Sequence, residues 1–105
     1  MKFDALRTER LLLRPPRSSD TVDLHARRND ADVARYQDWQ VPYPLDRAEV
    51  LVTESLELEG PTPGHWWMIT IADPTDAAVL GDLAVHITDD GHTAEVGYSL
   101  SRSAW

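Results

Sequence analysis

No cysteine occurs in the sequence, which excludes a disulfide framework, a thiolate nucleophile and a cysteine-based zinc site. No apolar run approaches the ~20 residues that a membrane-crossing helix needs, and the opening segment MKFDALRTER lacks the apolar stretch of a signal peptide. A cytoplasmic protein is therefore expected. The histidines His25, His65, His86 and His92 never fall at a short metal-ligand spacing, so no metal is expected. Basic residues are also scarce beside acidic ones. The formal net charge of −8 argues against a nucleic-acid groove. It mildly favours a cationic partner or substrate, and plain solubility alone explains it more readily. With 105 residues the chain is one domain at most.

Present in the sequence is a clear change of period. ERLLLRP is short enough for a strand and is stopped by Pro15 and Pro16. After PPRSSD, residues 21–28 read as a short helix with Asp20 at its N-cap, and residues 31–36 as another helical turn capped by Asp30. QDWQVPYP, with two prolines and two aromatics, reads as an irregular loop. A longer helix follows. Asp46 and Glu49 have the spacing of a capping box, with Leu45 and Val50 at the staple positions, and Ala48, Leu51, Val52 and Ser55 share one face. That helix is predicted to end near Gly60.

From His65 the pattern alternates. WWMITIAD, VLGDLAVHIT and TAEVGYSL read as three strands. Between the last two, Asp90 and Gly91 suit the centre of a two-residue type I′ turn. This turn sets Ile87 opposite Ala94, Val85 opposite Val96 and Leu83 opposite Tyr98, with the apolar side chains on one face. The other face carries Asp82, Ala84, His86, Glu95, Gly97 and Ser99, with His86 across from Glu95. Such a half-polar face is either simply wet, in which case the Glu–His pair is worth little, or lines a cleft in which Glu95 accepts a proton and His86 orients it. Spacing leaves both readings open.

The order of elements, together with TERLLLRP, SSDTVDLHARRNDADVARY and above all AEVGYSLSRSAW, resembles the amino-terminal half of the GNAT superfamily of N-acetyltransferases, in the branch that acetylates ribosomal-protein amino termini. The resemblance spans essentially the whole chain. It implies an α+β fold, strand-helix-helix-strand-strand-strand, with a mainly antiparallel sheet, in a single domain over residues 1–105. It also implies acetyl transfer from acetyl-CoA to a primary amine on a peptide N-terminus or a small molecule. By the same resemblance Glu95 is the general base, Ser99 offers its backbone N–H to the thioester carbonyl, and Tyr98, Ser99, Leu100 and Trp105 lie along the cofactor. Tyr36, Trp39, Tyr43 and His86 fall on the acceptor side, where the three loop aromatics serve either as substrate wall or as core.

The family's pyrophosphate loop, Q/R-x-x-G-x-G/A, has no counterpart beyond Trp105. The chain is therefore expected to be an incomplete domain, inactive alone, with an open sheet edge covered by a second copy or a complementing chain. The alternatives are a non-enzymatic α+β binding module and one half of a split enzyme.

Overall fold

The computed structural model describes residues 3–35, 37 and 39–104. Among them the sheet has five strands in the order β1-β2-β3-β4-β5, each antiparallel to its neighbour: β1 Leu6–Arg7, β2 Leu12–Arg14, β3 Trp66–Ala72, β4 Val79–Ile87 and β5 Ala94–Leu100. Helices α1 (Asp20–Arg28), α2 (Ala31–Ala34) and α3 (Leu45–Leu58) intervene between β2 and β3, and a 3₁₀ turn, Arg102–Ala104, follows β5. This is the α+β arrangement that the sequence predicts. The ERLLLRP stretch differs in detail: its strand is confined to Leu12–Arg14, and Leu6–Arg7 pairs back onto it as a short hairpin.

The β4–β5 register is as predicted, from Leu83 opposite Tyr98 through His86 opposite Glu95 to Ile87 opposite Ala94. The turn that sets it is not. Gly91 has a positive φ but Asp90 does not, and Gly91 N–H donates to Thr88 O while Thr88 N–H donates to Thr93 O. The loop thus holds four residues, and the Asp90 carboxylate ties it by accepting from the Thr88 hydroxyl and the His92 N–H.

The helices cover the sheet face that looks polar in the sequence. Met68 packs with Leu24, Tyr43, Ala48 and Val52 in the core. In line with Met68 on that face, Thr70, Asp82 and Ser99 are buried, while on the opposite face of β5 Val96 and Tyr98 are 59% and 65% exposed. The wet-face reading is thereby overturned for Asp82 and Ser99.

Helix α1 explains how a polar face becomes an interior. Its buried positions are Asp20, Leu24 and Arg27, one stripe at helical spacing. Only Leu24 is apolar, so the outer two must be neutralised to be buried at all. Arg14 grips Asp20 with two 2.9 Å hydrogen bonds, and Asp20 also accepts from the Thr70 hydroxyl and the Arg17 N–H. Asp20 is therefore not the N-cap. Ser19 holds that place without a side-chain bond, and α1 begins at Asp20.

The other caps divide. Asp30 caps α2 as predicted, accepting from the N–H groups of Asp32 and Val33. Helix α3 starts two residues earlier than its capping box requires. Pro44 occupies the N-cap with no side-chain bond, and Leu45 and Val50 are exposed, so neither box nor staple forms. The proline's fixed φ of −67° sets the entry instead. The inward face is the predicted one, with Ala48, Val52 and Ser55 buried and Leu51 packed against them. The helix closes at Glu59, whose φ of 63° lies in the left-handed region.

Candidate active site

Between α3, the α2–α3 loop and the helix-covered sheet face lies a cavity of about 480 Å³. Its floor is Trp66 on β3, Asp82 and Ala84 on β4, and Gly97, Tyr98 and Ser99 on β5. Two small residues of that floor, Ala84 and Gly97, leave room at its centre. Met68, Ala84 and Gly97 stand side by side across three strands, and Gly97 has nothing within 4 Å of where a Cβ would be.

The loop wall is tied to α1 by identifiable contacts. Asn29, at the C-terminus of α1, donates to Tyr43 O at 2.9 Å and accepts from Tyr43 N–H at 2.7 Å, so its amide replaces a strand partner for the loop. Trp39 Nε1 donates to Arg28 O at 2.8 Å. The Arg28 guanidinium then lies 4.5 Å from the Trp39 ring centre and 5.0 Å from that of Tyr43, a cation held between two aromatic faces. Arg28 also donates to the Tyr43 hydroxyl and stands 3.6 Å from Asp82 Oδ2, while its Nε is buried without a hydrogen-bond partner among the described residues.

Beneath the cavity is a buried ionic network. Arg27 donates from Nε and Nη2 to Asp82 Oδ1, at 3.1 and 2.8 Å, and from Nη1 to Asp23. The Ser99 hydroxyl donates to the same Asp82 oxygen at 2.9 Å. At the far end of β5, Arg102 bonds Asp30 and Asp32 on α2. Desolvation, the largest single influence on Asp30, would raise its carboxyl, but the bonds from Arg102 and from the Asp32 and Val33 N–H groups together outweigh it and hold the pKa below the ordinary value, while those carboxylates push Arg102 up.

The structure brings four of the predicted residues, Trp39, Tyr43, Tyr98 and Ser99, to this one cavity. Tyr43 serves as both core and wall, being 3% exposed. Glu95 and His86 face each other as predicted but do not line the cavity: Glu95 is exposed, and His86 packs on Trp66 with ring centres 5.1 Å apart. Leu100 ends β5 opposite Gly81, also outside the lining. Tyr36 and Trp105 lie outside the described residues.

The ladder also decides which backbone groups face outward. Thr88 is bonded to Thr93, and Ser101 to Leu80, so alternation along the unbroken register makes Asp82–Ser99 a bonded pair. The Ser99 N–H therefore points at β4, and the peptide groups of Val96 and Tyr98 point to the outer edge. Gln37 marks that edge by donating from Nε2 to Tyr98 O at 3.1 Å. Arg28, Asp82, Asp46, Glu54 and Trp66 are site residues that the sequence reading did not single out. The Asp within VLGDLAV, a charge at an inward strand position, was the available signal for one of them.

An antiparallel sheet is thus roofed by helices, and a cavity reaches its last described strand. The sequence family described as acetyltransferase (GNAT) domain matches residues 10–105, and the chain belongs to that family. Among solved structures it is similar to a GNAT-family acetyltransferase from Bacillus anthracis (18% identity, TM-score 0.71, covering 94% of this chain and 54% of that one). It is similar also to a protein assigned as a ribosomal-protein-serine acetyltransferase from Vibrio cholerae (16%, 0.65, 98% and 58%) and to a protein assigned to the same GNAT family from Bordetella pertussis (15%, 0.64, 96% and 60%). The chain thus spans little more than half the length of these structures. Comparison with curated protein sequences finds no match. Among the described residues no helix is long and apolar enough to cross a membrane.

Proposed function

We propose that this chain carries the acceptor cavity of an amine N-acetyltransferase, with a primary amine as acceptor and acetyl-CoA as co-substrate along the outer edge of β5. The observation that carries the reading is the cavity itself, which reaches β5 at Gly97, Tyr98 and Ser99, in a chain of the acetyltransferase family.

The β5 edge fits the pantetheine arm of acetyl-CoA. Its outward peptide groups are those of a strand awaiting a neighbour, and Tyr98 O already accepts an amide donor, from Gln37. When bound there, acetyl-CoA supplies the acetyl thioester that the amine attacks directly, with no acyl-enzyme. The backbone donor to the thioester carbonyl falls to Tyr98, whose N–H faces outward, rather than to Ser99. Ser99 acts instead through its hydroxyl, fixing β5 to Asp82. The cavity walls orient the amine. Glu95, outside the lining, takes the proton through water.

No Q/R-x-x-G-x-G/A turn occurs in these residues, so turnover requires a segment that brings one. The test is release of free CoA thiol from acetyl-CoA in the presence of primary-amine peptides, with and without a polypeptide carrying that turn. Release only in its presence is expected. Release by the 105-residue chain alone would overturn the requirement, and none under either condition would overturn the transferase reading. The exposure of Val96 and Tyr98 favours a covering partner at β5, either a second copy or a complementing chain, which concentration-dependent sedimentation would reveal.

A further inference from the structure

Strand β5 has a neighbour on one side only among the described residues. Alternation along the β4–β5 register turns the peptide groups of Ala94, Val96 and Tyr98 to the other side. Those of Ala94 and Val96 have no hydrogen-bond partner there among the described residues, while Tyr98 O is held by Gln37. The same residues carry their side chains on the sheet face opposite the helices, where Val96 and Tyr98 are exposed. Unpaired backbone and exposed apolar surface thus coincide on one edge. Such an edge is a template for another strand.

We infer that the strand it fits is β5 of a second copy, run antiparallel about a two-fold axis at Val96. The pairing is isologous. Val96 exchanges both backbone bonds with Val96 of the copy, and Ala94 does so with Tyr98 of the copy. On the exposed face the large tyrosine then meets the small alanine. On the other face Glu95 stands across from Gly97 of the copy, so no carboxylates are opposed. Neighbouring registers lack this match. Sliding the copy by about two residues in one sense sets Glu95 against its own copy, a like-charge pair. Sliding it in the other sense moves the contested Tyr98 O into the central rungs. Gln37 is therefore the guard of this edge, because its amide must leave Tyr98 O before the outer rungs close. The pairing rests on β5 alone. Its consequence, that the paired form excludes acetyl-CoA from the same edge, rests on the co-substrate reading above.

The test is sedimentation equilibrium of the 105-residue chain over a concentration series. Gln37→Ala is expected to tighten self-association by about fivefold or more, the scale of one hydrogen bond. Val96→Lys and Val96→Asp are each expected to weaken it by about tenfold, since the new charge faces itself, and an equimolar mixture of the two is expected to associate again. A second probe leaves charge unchanged. The chain has no cysteine, and facing Cα atoms about 5.5 Å apart suit a disulfide. With oxidised glutathione, Val96→Cys is expected to cross-link to its copy, and Tyr98→Cys, which faces Ala94 of the copy, is not. Monomers at every concentration for both the unaltered and Gln37→Ala chains would overturn the inference. So would association indifferent to charge at Val96, or cross-linking through Tyr98→Cys in place of Val96→Cys. No CoA enters these readouts, so their failure leaves the transferase reading standing, and absence of CoA release leaves the pairing standing.

Discussion

Ser99 and Asp82 face each other across the β4–β5 ladder and are joined again by their side chains, the serine hydroxyl donating at 2.9 Å to the carboxylate oxygen that Arg27 also holds. One oxygen thus fastens the last described strand, the strand before it and the first helix. The roof and the floor of the cavity meet at this point.

Removing the charge at the centre of that junction is expected to cost far more than removing its rim. Asp82→Asn leaves the Arg27 guanidinium buried beside a neutral amide, a loss of about 3 kcal/mol. Ser99→Ala deletes one hydrogen bond to a carboxylate that keeps its arginine, about 1 kcal/mol. Urea denaturation of the two variants checks the order. Equal losses would mean that Arg27 does not depend on Asp82.

Acid should loosen the α1 end of the molecule through Asp20. Burial raises this carboxyl, but the hydrogen bonds from Arg14, the Arg17 N–H and Thr70, with the Arg14 charge, outweigh it and hold its pKa below the ordinary value of 3.8. A carboxyl depressed in the folded state contributes stability that is complete above its unfolded pKa and is lost as pH falls through the folded one. The expected loss therefore begins near 3.8 and continues below it. In Asp20→Asn the part of the acid transition owed to this residue is absent at every pH. Thermal melts between neutral pH and pH about 3 measure the difference.

The two predicted helix caps give opposite expectations. Asp30 accepts both N–H bonds at the start of α2 and holds Arg102 as well, so Asp30→Ala lowers the melting temperature by a few degrees. Asp46 and Glu49 close no box, because Pro44 holds the N-cap, so Glu49→Ala leaves the melt unchanged. A drop for Glu49→Ala matching that for Asp30→Ala would show that the box forms after all.

Those outcomes bear on what the sequence could reveal. The β4–β5 hairpin was legible because each residue of AEVGYSL had to match a partner in VLGDLAVHI, and a slip of one would have moved every side chain to the wrong face. The inward stripe of α3 was legible because it is built of Ala48, Leu51 and Val52. The extent of α1 was legible but its inward stripe was not, since two of its three buried residues are Asp20 and Arg27, whose partners Arg14, Thr70 and Asp82 are brought near only by the fold. The site failed in the same way. Trp39 and Tyr43 were visible as loop aromatics beside prolines, while Arg28 reads as an ordinary helix-end cation until its neighbours surround it. Glu95 opposite His86 was a correct pairing, but pairing along a strand says nothing about how far a cavity extends.

Two glycines on neighbouring strands make the sharpest contrast. A Cβ on Gly81 would lie 2.1 Å from Ser99 O, a backbone atom that cannot move without parting β4 from β5. Gly81→Ala is therefore expected to cost about 3 kcal/mol or more. Gly97 has open space instead, and its backbone is ordinary strand, so Gly97→Ala folds with unchanged or slightly raised stability, since alanine has less backbone freedom to lose. Its methyl group enters the cavity floor between Ala84 and the open edge. Acceptor binding should fall while the melt does not, and measuring both on the same preparation checks it. Weakened folding in Gly97→Ala would mean that the cavity is closed in solution, with side chains occupying the volume assigned to the acceptor.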